Sequence, residues 1–215
     1  LVAYYPFNGN ADDASGSDND GTVNGATLTT DRYGNADSAY DFDGTNDKIS
    51  ATFANAPQGN EARTLSLWLK AAALDNANKH AFNWGTYSPG TAFGVIKGYH
   101  SGKHEWIFYA HGLQFDRNSG VQVNTSWHHV TITYDSTTIA TYVDGVLEDS
   151  GPVALNTTGT SMIIGAALDS GYNWSGLIDD IRIYNRALSG DEVTELYELE
   201  KPEEVDWSQS IFEVV

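Results

Sequence analysis

The chain contains no cysteine, which removes disulfides, thiolate metal sites and a cysteine nucleophile. It is also poor in positive charge: 11 Lys and Arg stand against 29 Asp and Glu, a formal net charge of −18. The summed field repels nucleic acid and anionic membranes and attracts cations, so neither polyanion is expected as a partner. An acidic surface that keeps an exported protein soluble explains the same charge, with calcium sites using only part of it. No apolar run approaches the ~20 residues of a membrane span. The opening LVAYYPF has neither a charged leader nor an apolar h-region, the form expected of an excised or mature segment.

What is abundant is glycine (21), tyrosine (12) and tryptophan (6) in a chain of 215 residues. This composition fits short strands joined by many turns around one substantial core. One domain is expected over 1–200, with 201–215 as a linker or the start of a following module. The organising stretch is 176–189, GLIDDIRIYNRALS. Read as a strand, it puts Asp179, Ile181 and Ile183 on one face and Asp180, Arg182 and Tyr184 on the other. Asp179 would then share the core face. A carboxylate there needs a cation, a hydrogen-bonding cage or a charged partner.

Other segments carry the same period. TLSLWLK (64–70) alternates Leu65, Leu67 and Leu69 with Ser66, Trp68 and Lys70, the pattern of a half-buried antiparallel strand. WHHVTITYD (127–135) is expected to pair with IATYVDGV (139–146), and SMIIGA (161–166) is a further strand. A strand sends His128 and His129 to opposite faces, so they are not a two-ligand zinc pair. Ser189 and Glu192 form a capping box, with Leu188 and Val193 as its hydrophobic staple, so a short helix follows and stops at Lys201-Pro202.

Two regions carry candidate chemistry. Residues 8–25 are dense in side-chain oxygens, and Asn8, Asn10, Asp12 and Asp13 suit either a hard cation or Asx-turns; the spacing is not that of the twelve-residue calcium loop. Residues 80–115 alternate aromatic strands with glycine-rich turns. Trp84, Tyr87, Tyr99, Trp106 and Tyr109, with His80, His100, His104 and His111, compose a candidate platform for stacking sugar rings. Tyr172, Asn173 and Trp174 in the loop 167–175 join it. The competing reading is that about half of these aromatics fill the core.

The segments AYYPFNGNADDASGSDNDGTVNGA, YDFDGTNDKIS, TLSLWLK, WHHVTITYD, ATYVDGV, MIIGA and GLIDDIRIYNRALSGDEV occur in an order that resembles the laminin-G-like jelly-roll domains of the concanavalin A-like lectin/glucanase superfamily, over about 1–200. The resemblance implies an all-β fold: a two-sheet antiparallel jelly-roll sandwich with a short C-terminal helix. It also implies a structural calcium ion held by Asp179, by backbone oxygens near Phe7 and Asn8, and by Gly44, with Asp13 added from the oxygen-rich segment; the alternative is that backbone N–H groups hold Asp179.

Glycosidases of that superfamily carry an E-x-D-x-x-E arrangement, because retaining hydrolysis needs two carboxylates roughly 5 Å apart. The chain has no such triplet, no G-x-S-x-G and no H-E-x-x-H. The expectation is therefore a non-catalytic, lectin-like carbohydrate-binding module, monomeric as a domain, from an exported bacterial multidomain protein. Its partner would be a polysaccharide or surface glycan outside the cell. The second reading is a protein-interaction or spacer domain of a large surface adhesin.

Overall fold

The structure, a computed structural model, describes residues 1–100, 102–112, 114–169 and 171–203, with only the backbone of His100. The expected linker therefore lies outside the described residues from 204 onward. Strands run in the order β1 (Ala3–Tyr5), β2 (Thr22–Asn24), β3 (Thr27–Thr29), β4 (Ala39–Asp43), β5 (Lys48–Thr52), β6 (Arg63–Ala71), β7 (Lys79–Gly85) and β8 (Ala92–His100). They continue as β9 (Lys103–Tyr109), β10 (Arg117–Gln122), β11 (Trp127–Tyr134), β12 (Thr138–Val143), β13 (Val146–Pro152), β14 (Ser161–Ile164) and β15 (Ser175–Tyr184), followed by one helix, α1 (Gly190–Glu200). The first sheet is ordered β13-β12-β11-β6-β15-β4-β3, with β1 also on β15; the second is β10-β9-β8-β7-β14-β5-β2. This is the two-sheet jelly-roll sandwich.

The period-two pattern builds the space between the sheets. Leu65, Leu67 and Leu69 of β6 and Val130, Ile132 and Tyr134 of β11 meet Phe82, Phe93, Phe108, Met162 and Ile164 from the opposite sheet, all buried. Trp84, Trp106 and Trp174 belong to this layer at 0% exposure. Trp106 and Trp174 stack with centroids 6.1 Å apart, and Trp84 packs on Phe93 at 4.6 Å. The three tryptophans are core residues, which removes them from the candidate sugar platform. Each lies on the inward parity of its strand or, for Trp174, at the foot of β15, where the apolar area of an indole is worth more between the sheets than in water.

The strand expected to be half-buried is buried on both faces: Ser66 and Trp68 are 0% and 2% exposed. α1 covers them. Its Ser189 side chain accepts from Glu192 N and Glu192 answers to the Ser189 N–H, the reciprocal cap read from the sequence. Leu188 and Val193 pack with Tyr142 as the staple. Tyr197 then stacks on both Trp68 and His129, each at 5.9 Å. The close approach requires a glycine beneath it, since a Cβ at Gly145 (φ +77°) would sit 2.9 Å from the Tyr197 ring.

β15 holds the one large departure from simple alternation. Asp179 pairs with Trp68 but Arg182 pairs with Ser66, so three steps on β15 span two on β6. The extra residue is a bulge at Asp180, whose φ is +47°. Ile178 faces the core before the bulge and Ile181 and Ile183 after it, so Asp179 faces outward beside Trp68 instead of inward. The expectation that Asp179 shares the core face is thus corrected. β15 also changes partner here, pairing with β4 through Ile178 and with β1 from Ile181.

The core assignment predicts a contrast between neighbours in sequence. Trp174→Ala should lower the unfolding free energy by about 3–5 kcal/mol. Tyr172→Ala, at a side chain 55% exposed, should change it by about 0.5 kcal/mol. Urea denaturation of the two variants measures both.

Candidate functional site

The outer face of the second sheet is divided in two. Over β7, β8 and β9 it presents a small apolar patch, Ala92, Ile96, Ile107 and Tyr109, onto which Leu168 packs. Leu168 belongs to the loop 165–174, which lies across these strands. His80 N donates to Tyr172 O (2.8 Å), Asn83 Nδ2 donates to Ala166 O (2.9 Å), and Trp174 N donates to Gly165 O (2.7 Å) at the loop base. The open remainder, over β2, β5 and β14, is a trough of about 410 Å³ that includes Thr22, Ser50, Thr52 and Ser161.

Where that loop meets the β7–β8 and β9–β10 connections, five rings form an unbroken contact chain. Tyr87 lies 4.0 Å from His111, His111 6.1 Å from Tyr109, Tyr109 4.5 Å from His80, and His80 5.7 Å from Tyr172, centroid to centroid. Its ends stand in solvent, Tyr87 at 44% and Tyr172 at 55% exposure, while His80 and Tyr109 at its middle are buried. The Tyr109 hydroxyl and His111 Nδ1 are hydrogen-bonded at 2.9 Å, and His80 Nδ1 is 3.0 Å from Asn83 Oδ1. The arc therefore has a fixed polar floor and two free aromatic faces, the make-up of a site for a ligand with both apolar and hydroxyl-bearing surfaces.

Burial depresses His80 to about 4, against the opposing pull of Asn83 and then Asp169, so its ring is neutral at pH 7. Burial, then the Asp169 carboxylate and Tyr172, raises the Tyr87 hydroxyl, and burial raises that of Tyr109. Asp169, exposed in the same loop, thus acts on three members of the arc. Sequence reasoning missed it, because an Asp followed by Ser and Gly in a loop reads as a turn residue.

Of the other sequence candidates, Tyr99 and His104 form a separate pair, centroids 4.9 Å apart. Gly94 is the residue opposite Tyr109, and Tyr99 lies five residues further along β8, roughly 17 Å away at the rise of a strand. The side chain of His100 lies outside the described residues. Asn173 Nδ2 donates to Thr45 O, which holds the loop to the β4–β5 turn. His128 and His129 do point to opposite faces: His128 lies beside Trp106, and His129 Nε2 meets Ser66 Oγ at 2.6 Å beneath α1.

The expected calcium ligands do not come together. Asp43 pairs with Ser175, which places Gly44 just beyond that end of β15, and Asp179 lies four residues further along, roughly 13 Å at the rise of a strand. Asn8 is exposed. Asp13 accepts from Tyr4 N and Ser15 N on one oxygen and from Asn19 N and Nδ2 on the other. Burial opposes its ionisation, but these bonds outweigh it and hold Asp13 below the usual carboxylate value. Asp179 accepts from Arg32 Nη1 at 2.5 Å. Its carboxyl is pushed upward by burial and next by Asp180, against Arg32. Among the described residues no group of three or more His, Asp or Glu is arranged to hold a metal ion. The residues present do not fit the implied site, and Asp179 has a charged partner of its own.

Two predictions follow from these geometries. Removing that partner with Arg32→Met should cost about 3–5 kcal/mol, because it strands buried carboxylates; calcium and a chelator should leave the melting temperature of the unmutated protein the same, and a calcium-dependent rise would contradict the assignment. Secondly, His80 and His129 are depressed by burial to about 4 and about 3, below their unfolded value of about 6.5. Their stabilisation is fully present above pH 6.5 and is lost as pH falls toward 4. Urea titrations at pH 7 and 4.5 should show His80→Gln losing roughly 2 kcal/mol less than the unmutated protein.

Comparison with known proteins places this fold. Domain 4 of AbnA, a GH43 extracellular arabinanase from Geobacillus stearothermophilus, in complex with arabinotriose, is 22% identical with a TM-score of 0.74, covering 92% of this chain and 98% of that one. The botulinum neurotoxin serotype D binding domain is 20% identical with a TM-score of 0.70, and the chain spans 51% of it. A botulinum neurotoxin type C structure, from work on its interaction with two ganglioside molecules, is 12% identical with a TM-score of 0.70, and the chain spans 50% of it. At these identities the likeness is one of fold. No curated protein matches the chain. Residues 43–194 match the family described as the concanavalin A-like lectin/glucanases superfamily, and the chain belongs to that family, in its laminin-G-like branch.

Proposed function

We propose that the chain is a non-catalytic carbohydrate-binding module of an exported multidomain protein, and that it holds its glycan in the arc of Tyr87, His111, Tyr109, His80 and Tyr172 beside Asp169. The observation that carries the reading is the arc itself: two exposed tyrosines at the ends of a buried, hydrogen-bonded floor. Tyrosine rings supply flat apolar area at low entropic cost, and Asp169 and His111 supply acceptors and donors for sugar hydroxyls. Support comes from the family and from the arabinanase domain, which was determined with arabinotriose. The loop 165–174 covers the sheet face beside the arc, which favours a chain end over an extended polysaccharide lying across the sheet.

The burial of all three tryptophan candidates favours the second reading, an interaction or spacer domain, in which the arc is packing at a loop junction. A glycan array separates the two. The unmutated domain should bind selectively, and Tyr87→Ala and Tyr172→Ala should each lower affinity by about tenfold or more with folding unchanged by circular dichroism. A blank array from the folded domain would support the spacer.

A further inference from the structure

We infer that the arc selects uncharged sugars and rejects those carrying a carboxylate or sulfate, an inference that rests on the carbohydrate reading above. The three segments that build it, 85–91, 110–116 and 165–174, contain no Lys and no Arg, and they do contain Asp116 and Asp169. Asp169 is exposed beside the arc, and Asp116 Oδ1 accepts from Ala110 N directly behind His111. Of the cations on the same sheet, Lys97 and Lys79 pair with Asp75 and Arg117 with Asp149; Lys48 and Lys103 stand at the ends of β5 and β9, outside the three segments. His80, the buried ring of the floor, is neutral at pH 7 and offers no positive charge.

An anionic sugar entering here meets the carboxylates of Asp169 and Asp116 and no Lys or Arg of the three segments, on a chain of net charge −18. Like charges brought together at a partly desolvated site are strongly disfavoured, and that repulsion sets specificity more than affinity. A neutral sugar meets only hydrogen-bonding groups and ring faces. Asp169 becomes the specificity-determining residue of the site.

The test is calorimetric titration with glucose, galactose and arabinose trisaccharides, with the C6-carboxylate forms of the hexose members, and with lactose against 3′-sialyllactose. Each is run on the unmutated domain and on the Asp169→Asn, Tyr87→Ala and Tyr172→Ala variants. The expected result is binding of a neutral sugar, at least about tenfold weaker binding of its acidic counterpart, and a narrower gap in Asp169→Asn and at high salt. Equal or tighter binding of the acidic member, abolished by the tyrosine substitutions, would overturn the selectivity and leave the carbohydrate reading standing. No binding of any sugar would overturn the carbohydrate reading as well, and binding that neither tyrosine substitution weakens would overturn the placement of the site in the arc and the selectivity argued from it.

Discussion

The guanidinium of Arg32 is the point through which distant parts of this sandwich are joined. Nη1 donates to Asp179, Nη2 to Asp180 (2.6 Å) and to the Tyr33 hydroxyl (2.9 Å), and Nε to the backbone carbonyl of Glu200 (2.9 Å). Its flat face lies 4.6 Å from the Trp68 ring. One side chain from the β3–β4 connection thereby holds the bulge of the last strand, the middle of the central strand β6 and the end of the helix. Glu200 closes the circuit by accepting from Trp68 Nε1 and pairing with Arg182. Buried charges of this kind add little net stability compared with apolar packing, but they permit only one arrangement, because every alternative leaves a carboxylate unpaired out of water.

That arrangement explains why α1 sits where it does. An amphipathic helix of 11 residues is marginal by itself. Here its cap is set locally, its Tyr197 is received by the rings of Trp68 and His129, and its last residue is fixed by Arg182 and Trp68. The outer face of the first sheet is covered there over Ser66, Trp68 and His129, while the aromatic arc lies at the connections of the second sheet.

There the division of labour is between rings that build and rings that face solvent. Trp84, Trp106 and Trp174 fill the space between the sheets, while the tyrosines at connections have one face free. The loop 165–174 does both jobs: Leu168 and Trp174 anchor it, and Asp169 and Tyr172 are left exposed on its outer side. A site on loops held by such anchors is positioned by the scaffold without being part of its core.

The sequence by itself determined the sandwich, the strands with strict alternation, the helix with its cap, and the order of segments that identifies the family. These are local properties, written in period and spacing within a few residues. It could not place Asp179, because the bulge is one added residue, here Asp180 with a left-handed φ, and nothing in IDDIRI distinguishes a paired Asp from a bulged one. Nor could it separate Trp84 and Trp106 from Tyr87 and Tyr109, since all are aromatics at strand spacing near glycines. Only the tertiary structure decided which rings the opposite sheet would cover, that Arg32, some 147 positions from Asp179 in the chain, would take the place expected for a cation, and that His80, Asp169 and Tyr172 would meet. Those outcomes depend on contacts between segments far apart in sequence, where the free energy of burial and charge pairing is settled only when the sheets close.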